Sequence, residues 1–345
     1  MHALDLLDQL VRRADAGEAV AACVLVAARG STPQKPPAVL LVLADGRTLG
    51  TIGGGCVEAE VRVRALRLLA GVGVSAGAGA TAAADPATGP TPARLHSFKL
   101  DHDLGWDDGL VCGGTMDVAV IVVRSAADAA PFRSARDALA AGEPATLDID
   151  STDEQDRPAT FSLPLDPRPA LFVAGAGHVG QALAPIAAGA GFDVTVVDDR
   201  PDMVTPDRFP AATRVVGDIE AELRRLPVGA NGYVVIVTRG HRNDAAALAA
   251  ALATPARYVG LIGSRRKVVT ILRDLRAHGL SAETLRRVHA PIGLDIGAVD
   301  PGEIAVSIAA ELIAVRRGQA GKPAGAMRLS GAALEQVLGG EAGSE

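Results

Sequence analysis

The sequence predicts two α/β units, the second of which is built on a doubly wound parallel sheet. An apolar strand at residues 171–174 leads into a glycine-rich turn, a helix and a second apolar strand that ends at Asp198. From residue 169 onward, apolar strands alternate with helical segments, which is typical of a parallel sheet covered on both faces. The length of 345 residues exceeds that of most single domains, which favours a second, smaller N-terminal α/β domain.

Composition limits the classes of function that this chain can have. The formal net charge is −6 and the Lys and Arg residues are scattered, which argues against a nucleic-acid-binding protein. No apolar run approaches the ~18 residues of a membrane span, and the N-terminal segment resembles an amphipathic helix rather than a signal peptide. Three cysteines, an odd number, do not form a disulfide framework. We therefore expect a cytoplasmic protein with reduced thiols and no membrane span.

The first unit is predicted over residues 1–125. It begins with a helix at about residues 3–15, and a second helix follows three glycines and ends before Gly71, a common helix terminator. Residues 71–93 are rich in Ala, Gly, Thr and Pro and are predicted to form a flexible surface loop. Apolar runs predict its strands at Val20–Ala27, Val39–Leu43, Thr48–Ile52, Arg94–Leu100 and Met116–Val123.

The rest of the chain divides into three segments. Residues 126–168 hold one helix and a polar, Pro- and Asp-rich stretch, which predicts the connection between the units. A Rossmann-like unit covers residues 169–318, and its last helix begins with the capping box of Asp300 and Glu303. Residues 319–345 are predicted to be a flexible C-terminal tail. Further strands of the Rossmann-like unit are predicted near residues 214–216, 233–238, 258–262 and 288.

The turn GAGHVG at the first strand of this unit has the spacing of a dinucleotide-binding turn. Gly175 allows the tight turn, Gly177 allows close phosphate approach, and Gly180 allows the helix to pack on the strand. With His178, these residues place free N–H groups at a helix N-terminus, which favours an anion. Asp198 follows at the distance expected of an acid that binds a ribose hydroxyl.

A second glycine-rich motif, GTIGGGCVE, lies at residues 50–58. Gly53, Gly54 and Gly55 open directly into a helix, and their conformational freedom suits a backbone that approaches a ligand closely. Cys56 lies in the first helical turn with Glu58, where the helix N-terminus favours a thiolate. The motif predicts an anion cradle with a reactive or ligating thiol; a tight turn with a small buried Cys is the alternative.

A related motif, CGG, contains Cys112, Gly113 and Gly114 and follows a segment that carries several carboxylates and the one Trp. We interpret it as a binding loop, since its backbone is again shaped for close approach. The spacing of Cys56 and Cys112 does not indicate structural zinc, and a disulfide between them is not expected in a reducing compartment.

Two further segments follow strands of the parallel sheet, where ligands of open α/β sheets bind. In GLIGSRRK, Ser264 is a helix N-cap, and Arg265 with Lys267 can neutralise a phosphate. In TRGHRND, His241 and Asp244 form a candidate acid/base pair, or else a capped turn. We predict anion binding at the first segment and leave both interpretations of the second open.

Taken together, the motifs resemble those of the XdhC/CoxI-type molybdenum cofactor chaperones, the maturation factors of xanthine and carbon monoxide dehydrogenases. The sequence departs from the family pattern at Gln34, where an Arg is common, and at Pro37, where a Gly is common. The resemblance covers almost the whole chain, through GSTP at 30–33, GTIGGGCVEAEV at 50–61, GLVCGG at 109–114, GAGHVGQALA at 175–184, VVDDRPDM at 196–203, YVGLIGSRRK at 258–267 and the segment 290–312.

This resemblance implies a protein that binds molybdenum cofactor, as molybdopterin or its cytosine dinucleotide, and has no turnover of its own. It would shield the cofactor, support its sulfuration by a cysteine desulfurase, and insert it into an apo-molybdoenzyme of the xanthine dehydrogenase family. Cys56 and Cys112 would contact the sulfur or the molybdenum, which enters only through the bound cofactor. A homodimer is also implied.

Two alternatives remain open. An NAD(P)-dependent oxidoreductase would need a proton donor, for which His241 and His178 are the candidates. Asp198 and Asp199 favour NAD, whereas Arg200 would tolerate the 2′-phosphate of NADP. A nucleotide-sensing regulatory protein is the second alternative.

Overall fold

A computed structural model describes residues 2–71, 93–100 and 113–319, apart from the side chains of His241 and Arg242. The chain divides into two compact units, Met1–Arg168 and Pro169–Glu345. The predicted loop at 71–93 and the predicted tail at 319–345 lie almost entirely outside the described residues, and so do residues 101–112.

The N-terminal unit is a seven-stranded sheet covered on both faces. The strands lie in the order β3-β2-β1-β5-β4-β6-β7, and every neighbouring pair is antiparallel except the parallel pair β4–β6. Helices α1 and α3 bury their apolar residues on one face, and α2 buries Val57, Val61 and Ala65 on the other. The elements are α1 (Ala3–Asp15), β1 (Val20–Arg29), β2 (Val39–Leu43), β3 (Thr48–Gly50), α2 (Gly55–Leu69), β4 (Ala93–Lys99), β5 (Thr115–Val123), α3 (Ala130–Ala140), β6 (Ala145–Thr152) and β7 (Pro158–Leu165).

The structure differs from the sequence prediction at residues 126–168, which belong to the N-terminal unit rather than connecting two units. They form α3 and the hairpin β6–β7, which extends the sheet beyond β4. Along β6, buried Leu147 and Ile149 alternate with exposed Asp148 and Asp150. The acidic residues of the stretch that predicted a polar connection, Asp153, Glu154 and Asp156, therefore lie in the turn between β6 and β7.

The C-terminal unit is a six-stranded parallel sheet in the order β10-β9-β8-β11-β12-β13. Apolar residues form a separate core on each face, so the prediction of a doubly wound, Rossmann-like sheet is confirmed. The elements are β8 (Ala170–Ala174), α4 (His178–Gly189), β9 (Asp193–Asp198), a 3₁₀ turn (Pro201–Met203), β10 (Thr213–Val216), α5 (Ile219–Arg225), β11 (Tyr233–Ile236), α6 (His241–Leu252), β12 (Tyr258–Leu261), α7 (Arg265–Ala277), α8 (Ala282–Leu285), β13 (Val288–His289) and α9 (Pro301–Arg316).

The strand order changes direction between β8 and β11, because β9 and β10 lie on one side and β12 and β13 on the other. Ligands of open α/β sheets bind beyond the carboxyl ends of the strands at this point. The final helix begins as predicted, since the Glu303 carboxylate accepts the Asp300 backbone N–H at 3.1 Å. Within the described ranges, no helix has both the length and the apolarity needed to cross a bilayer.

Candidate functional site

Two glycine motifs of the N-terminal unit pack against one loop, formed by residues 29–35 at the end of β1 and beyond it. A Cβ atom on Gly114 would lie 2.3 Å from the carbonyl oxygen of Ser31 and 2.7 Å from that of Arg29. A Cβ atom on Gly53 would lie 2.5 Å from Cγ of Pro33. The 29–35 loop therefore packs against both glycine motifs, and neither glycine can carry a side chain without displacing it.

The three glycines at the start of α2, whose first residue is Gly55, form a turn of left-handed backbone. Gly53, Gly54 and Gly55 have φ angles of 129°, 71° and 69°, a region that favours glycine. Glu58 holds this turn, because its Oε2 accepts the Gly54 N–H at 3.0 Å and the Thr51 hydroxyl at 2.9 Å. The Glu58 carboxylate thus has a local structural role. A Cβ atom on Gly54 would meet no atom within 4 Å, so its backbone faces open space.

The two cysteines that the structure describes lie in different surroundings. Cys56 is half-buried in the first turn of α2, as the sequence predicts. Cys112 lies outside the described residues, but the next residue, Gly113, is exposed, and a Cβ on it would meet no atom within 4 Å. Cys23 is buried in β1, and burial raises the pKa of its thiol. Among the residues that can be described, no cluster of three His, Cys, Asp or Glu side chains could hold a metal ion.

Two cations at this loop are absent from the sequence prediction. Arg29 Nη2 donates to Oδ2 of Asp117 at 2.8 Å, and the buried Asp117 also accepts the Ser97 hydroxyl at 2.6 Å. Lys35 Nζ donates to the Gly30 carbonyl at 3.3 Å. The sequence contained one indication of a cation here. Asp117 lies within the apolar run of β5, and a buried charge needs a partner of opposite charge. Lys35, whose acceptors are the neutral Gly30 carbonyl and Thr32 hydroxyl, can therefore attract an anion at this loop, whereas the charge of Arg29 is paired with Asp117.

In the C-terminal unit, the three glycines of the GAGHVG turn have different surroundings. A Cβ on Gly175 would lie 2.6 Å from the Val237 carbonyl oxygen, and one on Gly180 would lie 2.1 Å from the Gly175 carbonyl oxygen. A Cβ on Gly177 would meet nothing within 4 Å. Gly175 and Gly180 therefore allow close packing of backbone, and Gly177 leaves room for a ligand. His178 begins α4 and is exposed.

Asp198, at the end of β9, is 2% exposed and accepts four hydrogen bonds. Its Oδ2 accepts the Ala176 N–H at 2.7 Å and Arg200 Nη2 at 2.9 Å, and its Oδ1 accepts Arg200 Nε at 2.8 Å and the Arg200 backbone N–H at 3.1 Å. Burial raises the pKa of this carboxyl, but the hydrogen bonds from Arg200 and Ala176 outweigh burial and lower its pKa to about 2. Asp198 therefore holds the glycine turn and Arg200.

Asp244 and Lys267, predicted in separate roles, form one ion pair. Asp244 is fully buried, and its carboxylate contacts both the Lys267 ammonium and the Thr238 hydroxyl. The side chain of His241 lies outside the part that the structure describes, so its predicted pairing with Asp244 stays a prediction. Ser264 caps α7 as expected, because its hydroxyl accepts the Lys267 N–H at 3.3 Å.

Three relatives align with most of this chain. It is 31% identical over 299 residues to uncharacterized protein YqeB of Escherichia coli (strain K12), covering 86% of this chain. It spans 43% of YqeB, less than half of that protein's length. It is 28% identical to a probable xanthine dehydrogenase subunit of Bacillus subtilis (strain 168), covering 90% of this chain and 97% of that protein. It is 25% identical to the molybdenum cofactor insertion chaperone PaoD of Escherichia coli (strain K12), covering 88% and 85%.

A solved structure supports the fold. The crystal structure of a xanthine dehydrogenase from Bacillus halodurans superposes with a TM-score of 0.75 at 24% identity, over 94% of this chain and 98% of that chain. Two family models also match, one described as the XdhC and CoxI family over residues 13–74 and one as the XdhC Rossmann domain over residues 171–312. Together they cover more than half of the sequence. The chain belongs to the XdhC and CoxI family.

Proposed function

We propose that this protein binds molybdenum cofactor as cargo and delivers it to a molybdoenzyme of the xanthine dehydrogenase family. The main support is the convergence of the family's N-terminal motifs on the 29–35 loop, in a chain similar over most of its length to a cofactor insertion chaperone. The proposal includes action in the cytoplasm as a homodimer and no turnover of its own. A cysteine desulfurase is the proposed sulfur donor.

The residues at this loop suit the chemistry of the cargo. Molybdopterin carries a phosphate, and exposed Arg29 and Lys35 supply positive charge beside open backbone at Gly54 and Gly113. It also carries a dithiolene, whose sulfur atoms hold molybdenum. Thiolates are soft ligands that can contact such a metal. Cys56 and Cys112 are the proposed sulfur and molybdenum contacts.

The test is pterin content. We expect the full chain, purified anaerobically from a host that makes the cofactor, to carry near-stoichiometric pterin, measured as its fluorescent oxidation product. Cys56→Ser and Cys112→Ser should fold normally yet fail to mature the partner enzyme. Cys23→Ala is the matched control, because it removes a thiol from the buried core of the same unit.

The outcomes separate the interpretations. Absence of pterin from wild-type protein would contradict the cargo proposal. Loss of folding in Cys56→Ser, shown by circular dichroism, would make Cys56 a structural residue. Equal maturation by the Cys56→Ser and Cys23→Ala variants would exclude a thiol contact at Cys56.

Nucleotide binding by the C-terminal unit is a second candidate function, favoured by the open position at Gly177 beyond the switch between β8 and β11. NAD(P) or another nucleotide would place its phosphates at the N-terminus of α4. An oxidoreductase would also need a proton donor, for which His178 and His241 are the candidates. Titration with reduced nicotinamide nucleotides tests binding, and turnover would be seen as a change in nicotinamide absorbance.

A further inference from the structure

The end of β9 is the place where a Rossmann-type sheet meets the adenosine ribose of a dinucleotide. In the usual arrangement, a carboxylate there accepts hydrogen bonds from the two ribose hydroxyls. In this chain the corresponding carboxylate, Asp198, is already bound by the Arg200 guanidinium through Nε and Nη2 and by the Ala176 N–H. A ribose diol would have to displace Arg200 to bind Asp198.

Arg200 changes which hydrogen-bonding groups the end of β9 presents to a ligand. Two of its nitrogens bind Asp198, and Nη1, which carries two further N–H donors, has no partner among the residues that the structure describes. The side chain is 24% exposed, so this end of the guanidinium can reach a ligand. Asp198 fixes the orientation of the guanidinium through Nε and Nη2. The end of β9 therefore presents the N–H donors of Arg200 to an oxygen-rich group, and the Asp198 carboxylate is not free to accept from a hydroxyl.

The glycine turn next to Arg200 is held from both sides. The Ala176 N–H binds Asp198, and the Ala176 carbonyl accepts Arg208 Nη2 at 3.0 Å. A ligand at Gly177 would therefore meet a turn that is already ordered, which lowers the entropy cost of binding. The turn and the guanidinium form one rigid unit, because Asp198 contacts both.

We infer that Arg200 makes the C-terminal unit selective for a nucleotide that carries a phosphate on its adenosine ribose over one with a free ribose diol. This inference rests on the nucleotide candidate above and does not require pterin binding. Asp199 and Asp202 are nearby opposing charges. Asp199 Oδ1 lies 3.8 Å from Arg200 Nε, but its side chain is 57% exposed, Asp202 is exposed as well, and both are screened by water. A guanidinium contact to a phosphate oxygen is charge-assisted, whereas the contact to a hydroxyl is not.

The experiment compares NADPH with NADH, which differ at this hydroxyl, by titrating nicotinamide fluorescence with the full chain. We expect NADPH to bind about 10- to 100-fold more tightly, the range for one hydrogen bond between charged groups. The preference should shrink with added salt, because it arises from charge.

Arg200→Ala should reverse the preference. Without the guanidinium, NADPH loses its phosphate contact and meets the Asp198 carboxylate, while NADH gains that carboxylate as a diol acceptor. Arg224→Ala is the matched control, since it removes a half-exposed guanidinium of the same unit whose partner is Glu220 on the same helix. Arg200→Lys, which keeps the charge but not the two-pronged contact, should give an intermediate ratio.

Each outcome of this experiment supports or overturns the role of Arg200. Equal or tighter binding of NADH by wild-type protein would overturn the role of Arg200 while leaving nucleotide binding in place. An unchanged ratio in folded Arg200→Ala would also overturn it, and if that variant does not fold, the wild-type ratio and Arg200→Lys decide. Binding of neither nucleotide by wild-type protein would overturn the nucleotide candidate and this inference together. Pterin content, measured separately, would stand in each case.

Discussion

Both units place glycine turns beside a candidate anion site, but the charges at the two sites are arranged differently. In the N-terminal unit, glycine turns flank a loop whose cations, Arg29 and Lys35, are exposed at the rim. In the C-terminal unit, the site cations are paired inside the protein, Arg200 with Asp198 and Lys267 with Asp244. Among the described residues at the first site, Arg29 is also paired, with Asp117, but Lys35 contacts only neutral acceptors, so its charge can attract an anion. At the second site each cation is paired with a buried carboxylate, and selectivity depends on the direction of the remaining donors.

The glycines show the same division of roles in both units. Gly114 and Gly180 would each place a Cβ within 2.4 Å of a backbone oxygen, while Gly113 and Gly177 would each place one in open space. One glycine of each pair therefore allows backbone to pack, and the other leaves room for a ligand. Substitution separates these roles, since packing affects stability and open space affects binding.

The largest expected effect is that of Gly114→Ala on the N-terminal unit. Its Cβ would lie 2.3 Å from the Ser31 carbonyl oxygen, and relieving this overlap should cost about 3 kcal/mol of the free energy of unfolding. The matched control, Gly113→Ala, should cost less than about 1 kcal/mol, because its Cβ meets no atom. Urea unfolding measures both. Equal destabilisation by the two variants would contradict the division between packed and open glycines.

Lys267→Met tests the pairing in the C-terminal unit. It leaves Asp244 fully buried without its cation, which should cost about 3 kcal/mol of the free energy of unfolding. The double variant with Asp244→Leu should recover much of that loss, since it removes the buried charge as well. If Lys267→Met matched wild-type stability, the ion pair would not hold α7 to α6.

The pH dependence of stability tests the lock on Asp198. Its folded pKa of about 2 lies below the usual Asp value, so its contribution of about 2 kcal/mol is present above about pH 4 and is lost as the pH falls through 2. Urea unfolding from pH 6 to pH 2 should show this loss in wild-type protein and not in Asp198→Asn. Asp199→Asn, which changes an exposed neighbour, should keep the wild-type profile. If Asp198→Asn kept the wild-type profile, the hydrogen bonds from Arg200 and Ala176 to Asp198 would not be the cause of the pH dependence.

Local patterns predict the elements and glycine positions because both depend on short segments of sequence. The turn at Gly175 and the capping box at Glu303 are examples, since each involves residues a few positions apart. The hairpin β6–β7 also had a local indication, the alternation of Leu147 and Ile149 with acidic residues. Composition concealed it, because the acidic residues of its turn, Asp153, Glu154 and Asp156, resemble those of a polar connection.

The pairing of charges at the sites could not be predicted in the same way. Lys267 and Asp244 come from different helices, and only the parallel pairing of β11 with β12 brings those helices together. Arg29 and Asp117 are far apart in the sequence and meet because β1 pairs with β5. Sequence identifies which residue types can bind an anion, but the fold decides which of them are already neutralised.

The smallest expected effect concerns the first turn of α7, where Arg265 adds an exposed cation that opposes the helix dipole. Arg265→Ala should therefore raise the free energy of unfolding by about 0.5 kcal/mol at low salt, and by less at high salt. The matched control is Arg276→Ala in the last turn, where the dipole favours a cation and Nη1 donates to the Leu280 carbonyl at 2.9 Å. That variant should be less stable than wild type. A loss of stability in Arg265→Ala would mean that Arg265 makes a structural contact. A gain in stability together with weaker phosphate binding would mean that it serves a ligand at the expense of the fold.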